Sequence, residues 1–200
     1  YTAFCEAAGL EAVPLDDFET GQVTCSTTGA TTFLGTLYTN VKNGSAAAAA
    51  ALEANPDTAT YYKPIVKTDA TAYTSLVNGE LTGAYNGITT VATSVADSYL
   101  YMAFICGDQA IEVINTDVQN DKVCMVIKES YGNAFVPFLT SHYSKIVVVD
   151  PRYHNTSKHA PLYLPDLAQL EGVTDLIVID YPFIPMNETY ITQLNRLAGK

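Results

Sequence analysis

The sequence has few basic residues and no long apolar run. Lysine and arginine number 10 against 21 aspartates and glutamates, so the formal net charge is −11. Such an excess of negative charge disfavours binding to nucleic acid and to anionic membrane surfaces. The acidic residues are scattered along the chain, which is typical of charge that maintains solubility. Because no run of about 18 apolar residues is present, we expect no transmembrane segment in this chain.

Motifs that would identify a particular chemistry are also missing. The four cysteines form no CxxC pair and no Cys–His spacing typical of zinc sites. No glycine pattern for phosphate binding follows a strand, and the G-x-S-x-G nucleophile elbow is absent. We therefore predict neither a metal nor another cofactor. Cys106 and Cys124 lie in apolar runs and are interpreted as buried thiols, whereas Cys5 and Cys25 could pair or remain free.

The chain begins inside a helical pattern. Tyr1, Phe4, Cys5 and Ala8 have the spacing of an amphipathic helix, which Gly9 is placed to end. No capping residue, initiator methionine or export signal precedes this pattern. We therefore expect a fragment whose N-terminal part, with any export signal, has been removed.

The C-terminal half alternates apolar strands with helical patterns. Two hundred residues with 48% hydrophobic content suit one domain spanning residues 1–200. Apolar strands separated by helices predict a parallel sheet covered on both faces, so we expect an α/β fold with a doubly wound, mostly parallel sheet. The predicted strands are Val123–Ile127, Lys145–Asp150 and Thr174–Asp180, and the predicted helices cover residues 132–141, 164–170 and 188–197.

The middle of the chain has a different composition. Residues 40–100 are rich in threonine, tyrosine, alanine, asparagine and glycine, and contain Asn-Gly turn signals. We predict a β-rich excursion there, within the single domain, with a short helix over Ala46–Ala54 capped by Ser45. The stretch Ser98–Phe104 is apolar enough to be buried, and Ala110–Asn115 resembles another strand.

Ser130 is the first candidate for chemistry. Ligands of open α/β sheets bind beyond the carboxyl ends of the strands, and those ends carry residues 128–130, 150–152 and 180–182. A serine between a strand and a helix could be a nucleophile, with the amides of Tyr131 and Gly132 stabilising an oxyanion. It could equally cap the helix or be a surface residue, and its position alone favours the cap.

Three histidines are available as a base for such a serine. His142 falls at the far end of the helix after Ser130, where it more simply caps that helix. Asp150 with His154 is the best internal acid–base pair, although its surroundings resemble a surface loop. A metal site formed by His154, His159 and Asp150 is a weaker hypothesis, because nothing in the spacing imposes a tetrahedral geometry.

Arg152 and the Cys106-Gly107-Asp108 stretch complete the candidates. Arg152 follows the second predicted strand, so it could hold an anionic or transition-state oxygen. It could also pair structurally with Asp150 or Glu129, and the two interpretations are equally supported. Residues 106–108 could be a tight turn that brings backbone amides near a site, but a simple turn is the more probable interpretation.

One long stretch resembles a known family. "KVCMVIKESYGNAFVPFLTSHYSKIVVVDPRYH", from Lys122 to His154, is similar to the C-terminal core of the DHHW family. So are "FLGTLY" at residues 33–38 and the segment from "AFICGD" to "AIEVINT". The family comprises exported bacterial proteins, mostly uncharacterised, and is related to SGNH hydrolase-like proteins that include polysaccharide O-acetyltransferases. Unlike SGNH hydrolases, this sequence has no Asp-x-x-His near its C-terminus.

The resemblance implies an SGNH-like fold and an exported, cell-envelope esterase or O-acyltransferase that acts on a glycan. Ser130 would attack an acyl donor, the amides of Tyr131 and Gly132 with Asn133 would stabilise the oxyanion, and Arg152 would bind substrate. The family's Asp-His-His-Trp motif, expected just before residue 1, would supply the acid and the histidine. Two rivals stay open, namely a non-catalytic module binding glycan or protein, and a flavodoxin-like binder of nucleotide or flavin.

Overall fold

The structure, a computed structural model, describes residues 1–96 and 99–200. Its strands, numbered in chain order, are β1 (Thr20–Gln22), β2 (Thr24–Cys25), β3 (Thr32–Phe33), β4 (Asp57–Thr58), β5 (Thr60–Tyr62), β6 (Thr68–Tyr73), β7 (Ser75–Val77), β8 (Glu80–Thr82), β9 (Tyr85–Ile88), β10 (Ser94–Val95), β11 (Ile111–Thr116), β12 (Val123–Lys128), β13 (Lys145–Val149) and β14 (Asp175–Ile179). The α-helices are α1 (Thr2–Ala8), α2 (Thr36–Val41), α3 (Ala46–Ala54), α4 (Val136–Leu139), α5 (Leu164–Glu171) and α6 (Glu188–Leu197).

A six-stranded mixed sheet forms the centre of the molecule, in the order β14-β12-β13-β11-β6-β9. Strands β14, β12 and β13 run parallel to one another. Strand β11 is antiparallel to both β13 and β6, and β6 is antiparallel to β9. The parallel half of the sheet is therefore built from the three C-terminal strands that the sequence predicted.

The prediction of a doubly wound, mostly parallel sheet of the SGNH or flavodoxin type is wrong. Within the described residues, three of the six strands of the sheet form antiparallel pairs. Strand β11 is antiparallel to β13, β6 to β11, and β9 to β6. A central strand covered on both faces is buried throughout whichever way it runs, as β11 is over residues 111–114. Its direction depends on the path of the preceding chain, which the local sequence does not encode.

The first face of the sheet packs against the helices α1 and α4. Val126 and Val148 from the parallel strands share a buried cluster with Val136 and Leu139, and Phe4 packs against it. The helix predicted over residues 132–141 is shorter than expected. A 3₁₀ turn precedes it, and α4 begins beside Pro137, whose missing N–H suits the start of a helix.

The second face packs against the helices α5 and α6. Met125, Ile127 and Val147 form a buried cluster there with Leu167 of α5 and Leu197 of α6. Gly172 ends α5 in the left-handed conformation, with φ 70°, as a C-terminal glycine commonly does. Strands β12 and β13 are thus covered on both faces, as the sequence predicted. Strand β14 is not, because Leu176 and Val178 are exposed at the edge of the sheet.

The strands before β11 that do not join the central sheet form four small two-stranded sheets. The pairs are β1 with β5, β2 with β10, β3 with β4, and β7 with β8. Ser45 caps α3 by accepting a hydrogen bond from the amide of Ala48, as predicted. Leu100, Ala103 and Phe104 of the predicted buried stretch are buried in a third apolar cluster, but Tyr99 and Met102 are exposed. Ser98 lies outside the described residues. Strands β6 and β9 lie within residues 40–100 but belong to the central sheet. The limits of the β-rich excursion therefore stay a prediction.

All four cysteines are free thiols in the structure. The pairing of Cys5 with Cys25 that the sequence left open is therefore not made, although both side chains are buried. Cys124 is buried as predicted, but Cys106 is exposed, because it lies in a left-handed turn whose neighbours do not cover it. Of the helices in residues 1–96 and 99–200, none has the length and apolarity to cross a bilayer.

Candidate functional site

A buried cluster of charged side chains lies at the carboxyl ends of β12 and β13. Lys128, the last residue of β12, is completely buried, and its Nζ lies 3.1 Å from Asp108 Oδ1 and 3.5 Å from Asp150 Oδ2. Asp150 is completely buried as well. Removing an ammonium group from water is costly unless opposite charges and hydrogen bonds surround it. The two carboxylates provide that compensation for Lys128.

Arg152 joins the same two carboxylates from the exposed side of the cluster. Its Nε donates to Asp150 Oδ1 at 2.9 Å, and its Nη2 contacts Asp150 Oδ2 and, at 2.8 Å, Asp108 Oδ2. Asn133 braces the cluster, since its Nδ2 donates to Asp108 Oδ1 at 3.0 Å. Burial alone raises the pKa of Asp108, but the charges of Lys128 and Arg152 outweigh it and hold that pKa below its usual value. The structural pairing of Arg152 with Asp150, one of its two predicted roles, is thus present.

Glu129 organises the residues around Ser130. Its side chain is 3% exposed, and Oε2 accepts hydrogen bonds from the Ser130 hydroxyl at 3.3 Å and from the Tyr131 amide at 3.2 Å. Its Oε1 accepts from the amide of Tyr181 at 3.2 Å. Burial raises the pKa of Glu129 even though these three donors lower it. Glu129, not Ser130, is therefore the residue that caps the 3₁₀ turn Ser130–Gly132.

The two amides predicted to hold an oxyanion already have partners. The Tyr131 amide donates to Glu129 Oε2, and the Gly132 amide donates to the Glu129 carbonyl at 2.9 Å. An acyl oxygen at this position would have to displace the Glu129 side chain from the Tyr131 amide. The roles of these residues in chemistry stay a prediction.

Ser130 lies on the wall of an open cleft of about 550 Å³. Tyr131, Asn133 and Arg152 line the same cleft, together with residues that precede β11 in the chain. The lining from that part of the chain includes Phe33, Leu37, Asp57, Tyr99, Tyr101 and Met102. The predicted site residues Ser130, Tyr131, Asn133 and Arg152 therefore meet at one cavity, while Gly132 is buried behind them.

A strained turn delivers Asp108 to this cleft. Ile105, Cys106 and Gly107 have φ values of 47°, 54° and 79° in succession. Left-handed conformations are costly for a β-branched residue such as isoleucine, so the surrounding structure must compensate for them. Ile105 is completely buried, and its amide donates to the Thr90 carbonyl at 2.9 Å. The simple turn predicted here thus supplies a carboxylate to the charged cluster.

A comparison with protein families decides the assignment. The family described as DHHW protein matches residues 1–149, which is most of the chain.

The chain belongs to the DHHW family.

Solved structures agree with this assignment. A DHHW family protein from Eubacterium siraeum is similar over 100% of this chain, at 28% identity and a TM-score of 0.75. The chain spans 59% of the length of that protein. Bacillus cereus PatB1, solved with a sulfonyl adduct, shares the fold over 85% of this DHHW chain and 48% of its own, at 15% identity and a TM-score of 0.53. No curated protein matches.

Within the described residues of this DHHW protein, no histidine lines the cleft that contains Ser130. His142 Nε2 is 2.6 Å from the Tyr1 hydroxyl and 3.7 Å from Cys5 Sγ, and burial lowers its pKa. His154 is buried with Nε2 2.9 Å from the Ala110 carbonyl, and burial lowers its pKa also. Among the described residues no hydrogen bond joins a histidine to Ser130. His142 is not part of the cleft wall, as predicted. Within the same residues, Asp150 and His154 are not hydrogen-bonded to each other.

The hypothetical metal site is not assembled. In the part of the chain that the structure describes, no group of three His, Cys, Asp or Glu side chains could hold a metal ion. His159 instead packs edge-to-face on Tyr153, with ring centroids 5.5 Å apart. The carboxylate of Asp150 is occupied by Lys128 and Arg152.

The sequence patterns gave no role to Lys128, Asp108 or Glu112, and gave Glu129 only a possible pairing with Arg152. A lysine that ends a fully apolar strand is a detectable signal, because such a charge must find a partner when the strand is central. Glu112 inside the apolar run of β11 is a similar signal. The partners of Lys128, namely Asp108 and Asp150, come from segments 20 or more residues away, so only the folded chain identifies them.

Proposed function

We propose that this DHHW protein takes part in acyl transfer at the bacterial cell envelope, as an esterase or O-acyltransferase acting on a glycan with Ser130 as its nucleophile. One observation carries the proposal. The Ser130 hydroxyl is hydrogen-bonded to a buried carboxylate on the wall of an open cleft, at the carboxyl ends of parallel strands. The extracellular location rests on the family resemblance.

The proposed reaction has two steps. Ser130 Oγ attacks the acyl carbonyl, its proton passes to a general base, and collapse of the tetrahedral intermediate expels the donor's oxygen, which takes up that proton. A sugar hydroxyl, or water in an esterase, then attacks the acyl-serine ester and restores the Ser130 hydroxyl. Arg152, held by Asp150 and Asp108, would bind an oxygen of the substrate at the cleft.

Ser130 needs a base, and within the described residues no hydrogen bond joins it to a histidine. The family's Asp-His-His-Trp motif would supply the acid and the histidine, and the chain spans 59% of the length of the Eubacterium siraeum protein. Glu129 serves as a positioning residue, because its carboxylate holds the Ser130 hydroxyl and the amides of Tyr131 and Tyr181.

A second candidate is a non-catalytic module of the same fold that binds glycan or protein in the cleft. The observation that favours it is the occupation of the Tyr131 and Gly132 amides by Glu129. A site in which both amides keep these partners has no free donors for a tetrahedral oxyanion there.

Hydrolysis of p-nitrophenyl acetate separates the two candidates. We expect the protein, expressed as its gene encodes it, to hydrolyse this ester, and Ser130→Ala to lower the rate at least about a hundredfold. The control Ser26→Ala, in an exposed loop, should leave the rate unchanged. Equal rates for Ser130→Ala and the unmodified protein would exclude the nucleophile. Full turnover by residues 1–200 alone would instead show that no outside base is needed.

A further inference from the structure

A second cavity adjoins the cleft that contains Ser130. It has a volume of about 320 Å³, and Arg152 lines both it and the larger cleft. Its polar lining includes Asn187, Thr189 and Gln193 from the start of α6. Cavities of a few hundred Å³ with a small number of directed polar groups are typical of small-molecule sites.

A strip of aromatic rings connects the two cavities. Tyr131, which lines the larger cleft, stacks on Tyr181, which lines the smaller one, with centroids 5.4 Å apart and planes 30° apart. Phe183 continues the strip, with its centroid 6.3 Å from that of Tyr181. Tyr131 is 69% exposed and Phe183 is 67% exposed. Contiguous exposed aromatic surface of this kind marks an interaction site.

The strip is built by the same buried carboxylate that holds Ser130. Glu129 Oε2 accepts from the Tyr131 amide and Oε1 from the Tyr181 amide, so one side chain fixes the backbone beneath both stacked rings. The Tyr101 hydroxyl adds a second hydrogen bond, to the Tyr131 carbonyl at 3.1 Å. The backbone of both tyrosines is therefore fixed relative to the Ser130 hydroxyl.

The chemistry of these groups matches a sugar. Pyranose rings present C–H faces that stack on aromatic rings, and hydroxyls that bond to amides and to other hydroxyls. Asn187 uses Oδ1 to accept from the Tyr190 amide at 3.1 Å, which leaves its Nδ2 to donate to a ligand. Thr189 and Gln193 add a hydroxyl and a second amide beside it.

Charge around the cavity selects a neutral ligand. Among the described lining residues Arg152 is the cation, and its guanidinium is already bound to Asp150 and Asp108. The carboxylate of Glu129 lines the cavity, and the chain as a whole carries a net charge of −11. An anionic polymer would therefore be repelled.

We propose that the strip Tyr131–Tyr181–Phe183 and the cavity beside it bind a neutral oligosaccharide, with sugar rings stacked on the aromatic faces and one sugar hydroxyl directed to Ser130. The last part rests on the proposed acyl transfer, whereas the binding itself does not.

Titration calorimetry with two neutral probes, tetra-N-acetylchitotetraose and cellotetraose, tests the binding. We expect at least one probe to bind with a Kd below about 1 mM. Phe183→Ala and Tyr181→Ala should each weaken that binding about tenfold, through loss of a stacking surface. Tyr181→Phe should keep it, because the ring remains. The matched control is Tyr85→Ala, a 66% exposed tyrosine in β9, at the opposite edge of the sheet from β14.

Several results would overturn the site. One is that neither neutral probe binds. Another is that the strip variants and the Tyr85→Ala control bind the probe equally well. A third is that tetragalacturonate, an anionic oligosaccharide, binds more tightly than the neutral probes. A dimer that Phe183→Ala dissociates would also overturn it, because a second copy would then cover the strip. If ester hydrolysis depends on Ser130 but no sugar binds, only the proposed sugar site is contradicted. If sugar binds but no such hydrolysis occurs, only the proposed acyl transfer is contradicted.

Discussion

At the scale of single residues, buried charge distinguishes the site from the rest of the core. Lys128, Arg152, Asp108 and Asp150 form a group of two cations and two carboxylates whose charges cancel. Such a group is tolerated in a low-dielectric interior because each ion has a partner, although it adds little net stability compared with apolar packing. Its contribution here is to hold Arg152 at the cleft in one orientation.

Glu112 is the exception among these buried groups. It is completely buried in β11, and in the described part of the chain neither of its carboxylate oxygens has a hydrogen-bond partner. Burial raises its pKa to about 8, against the opposing charge of Lys128. The side chain is therefore mostly protonated in the folded protein at neutral pH, while in the unfolded chain it is ionised.

This difference predicts a stability that falls as pH rises. Between the ordinary pKa of 4.5 and about 8, the folded state holds a proton that the unfolded state releases. Each pH unit in that interval then removes up to about 1.4 kcal/mol of unfolding free energy, with no further loss above it. Urea unfolding from pH 4.5 to 8 should show this slope as the difference between the unmodified protein and Glu112→Gln, because the shifted pKa values of Glu129, His142 and His154 contribute equally to both. Glu80→Gln, at an exposed position, is the control, and equal slopes for all three proteins would contradict the prediction.

At the scale of elements, β12 and β14 show how the position of a strand in the sheet changes the burial of similar residues. Ile127 of β12 and Val178 of β14 are register partners. Strand β12 lies between two neighbours, whereas β14 forms the edge. Ile127 is consequently 4% exposed, while Val178 is 55% exposed. Two apolar strands that look equivalent in sequence therefore differ in what they bury.

Truncation of these partners should have unequal effects. Ile127→Ala leaves a cavity against Leu167 and Leu197, and we expect it to lower the unfolding free energy by about 2–5 kcal/mol. Val178→Ala removes a mostly solvated side chain and should cost about 0.5 kcal/mol or less. Denaturant titration of both variants measures the difference. Comparable losses would mean that β12 is not the central strand of the parallel half.

At the scale of the whole molecule, the reactivity of the thiols shows whether any disulfide links the chain. The four cysteines are free, and Cys106 alone among them is exposed. We therefore predict that Ellman's reagent modifies one thiol quickly in the native protein and four after unfolding in urea. Cys106→Ser should abolish the quick reaction. A count of two in the unfolded protein would reveal a disulfide and contradict the free state of Cys5 and Cys25.

The strands of the parallel half could be predicted because each is an apolar run flanked by turn residues. The same local signal placed Ser130 and Arg152 at the carboxyl ends of two neighbouring strands, where the structure brings them to one cleft. The sheet as a whole could not be predicted. Strand β6, Thr68–Tyr73, consists of small and polar residues, yet it pairs with β11 in the interior of the sheet.

The apolar strands, the family and the residues that follow each strand could be predicted, because they depend on composition and spacing within short segments. The direction of β11, β6 and β9, the pairing of Lys128 with Asp108, and the stacking of Tyr131 on Tyr181 are visible only in the folded chain. Each of these joins segments 20 or more residues apart or depends on the path between them. Local sequence sets which residues can be buried, but burial against a particular partner is a property of the assembled core.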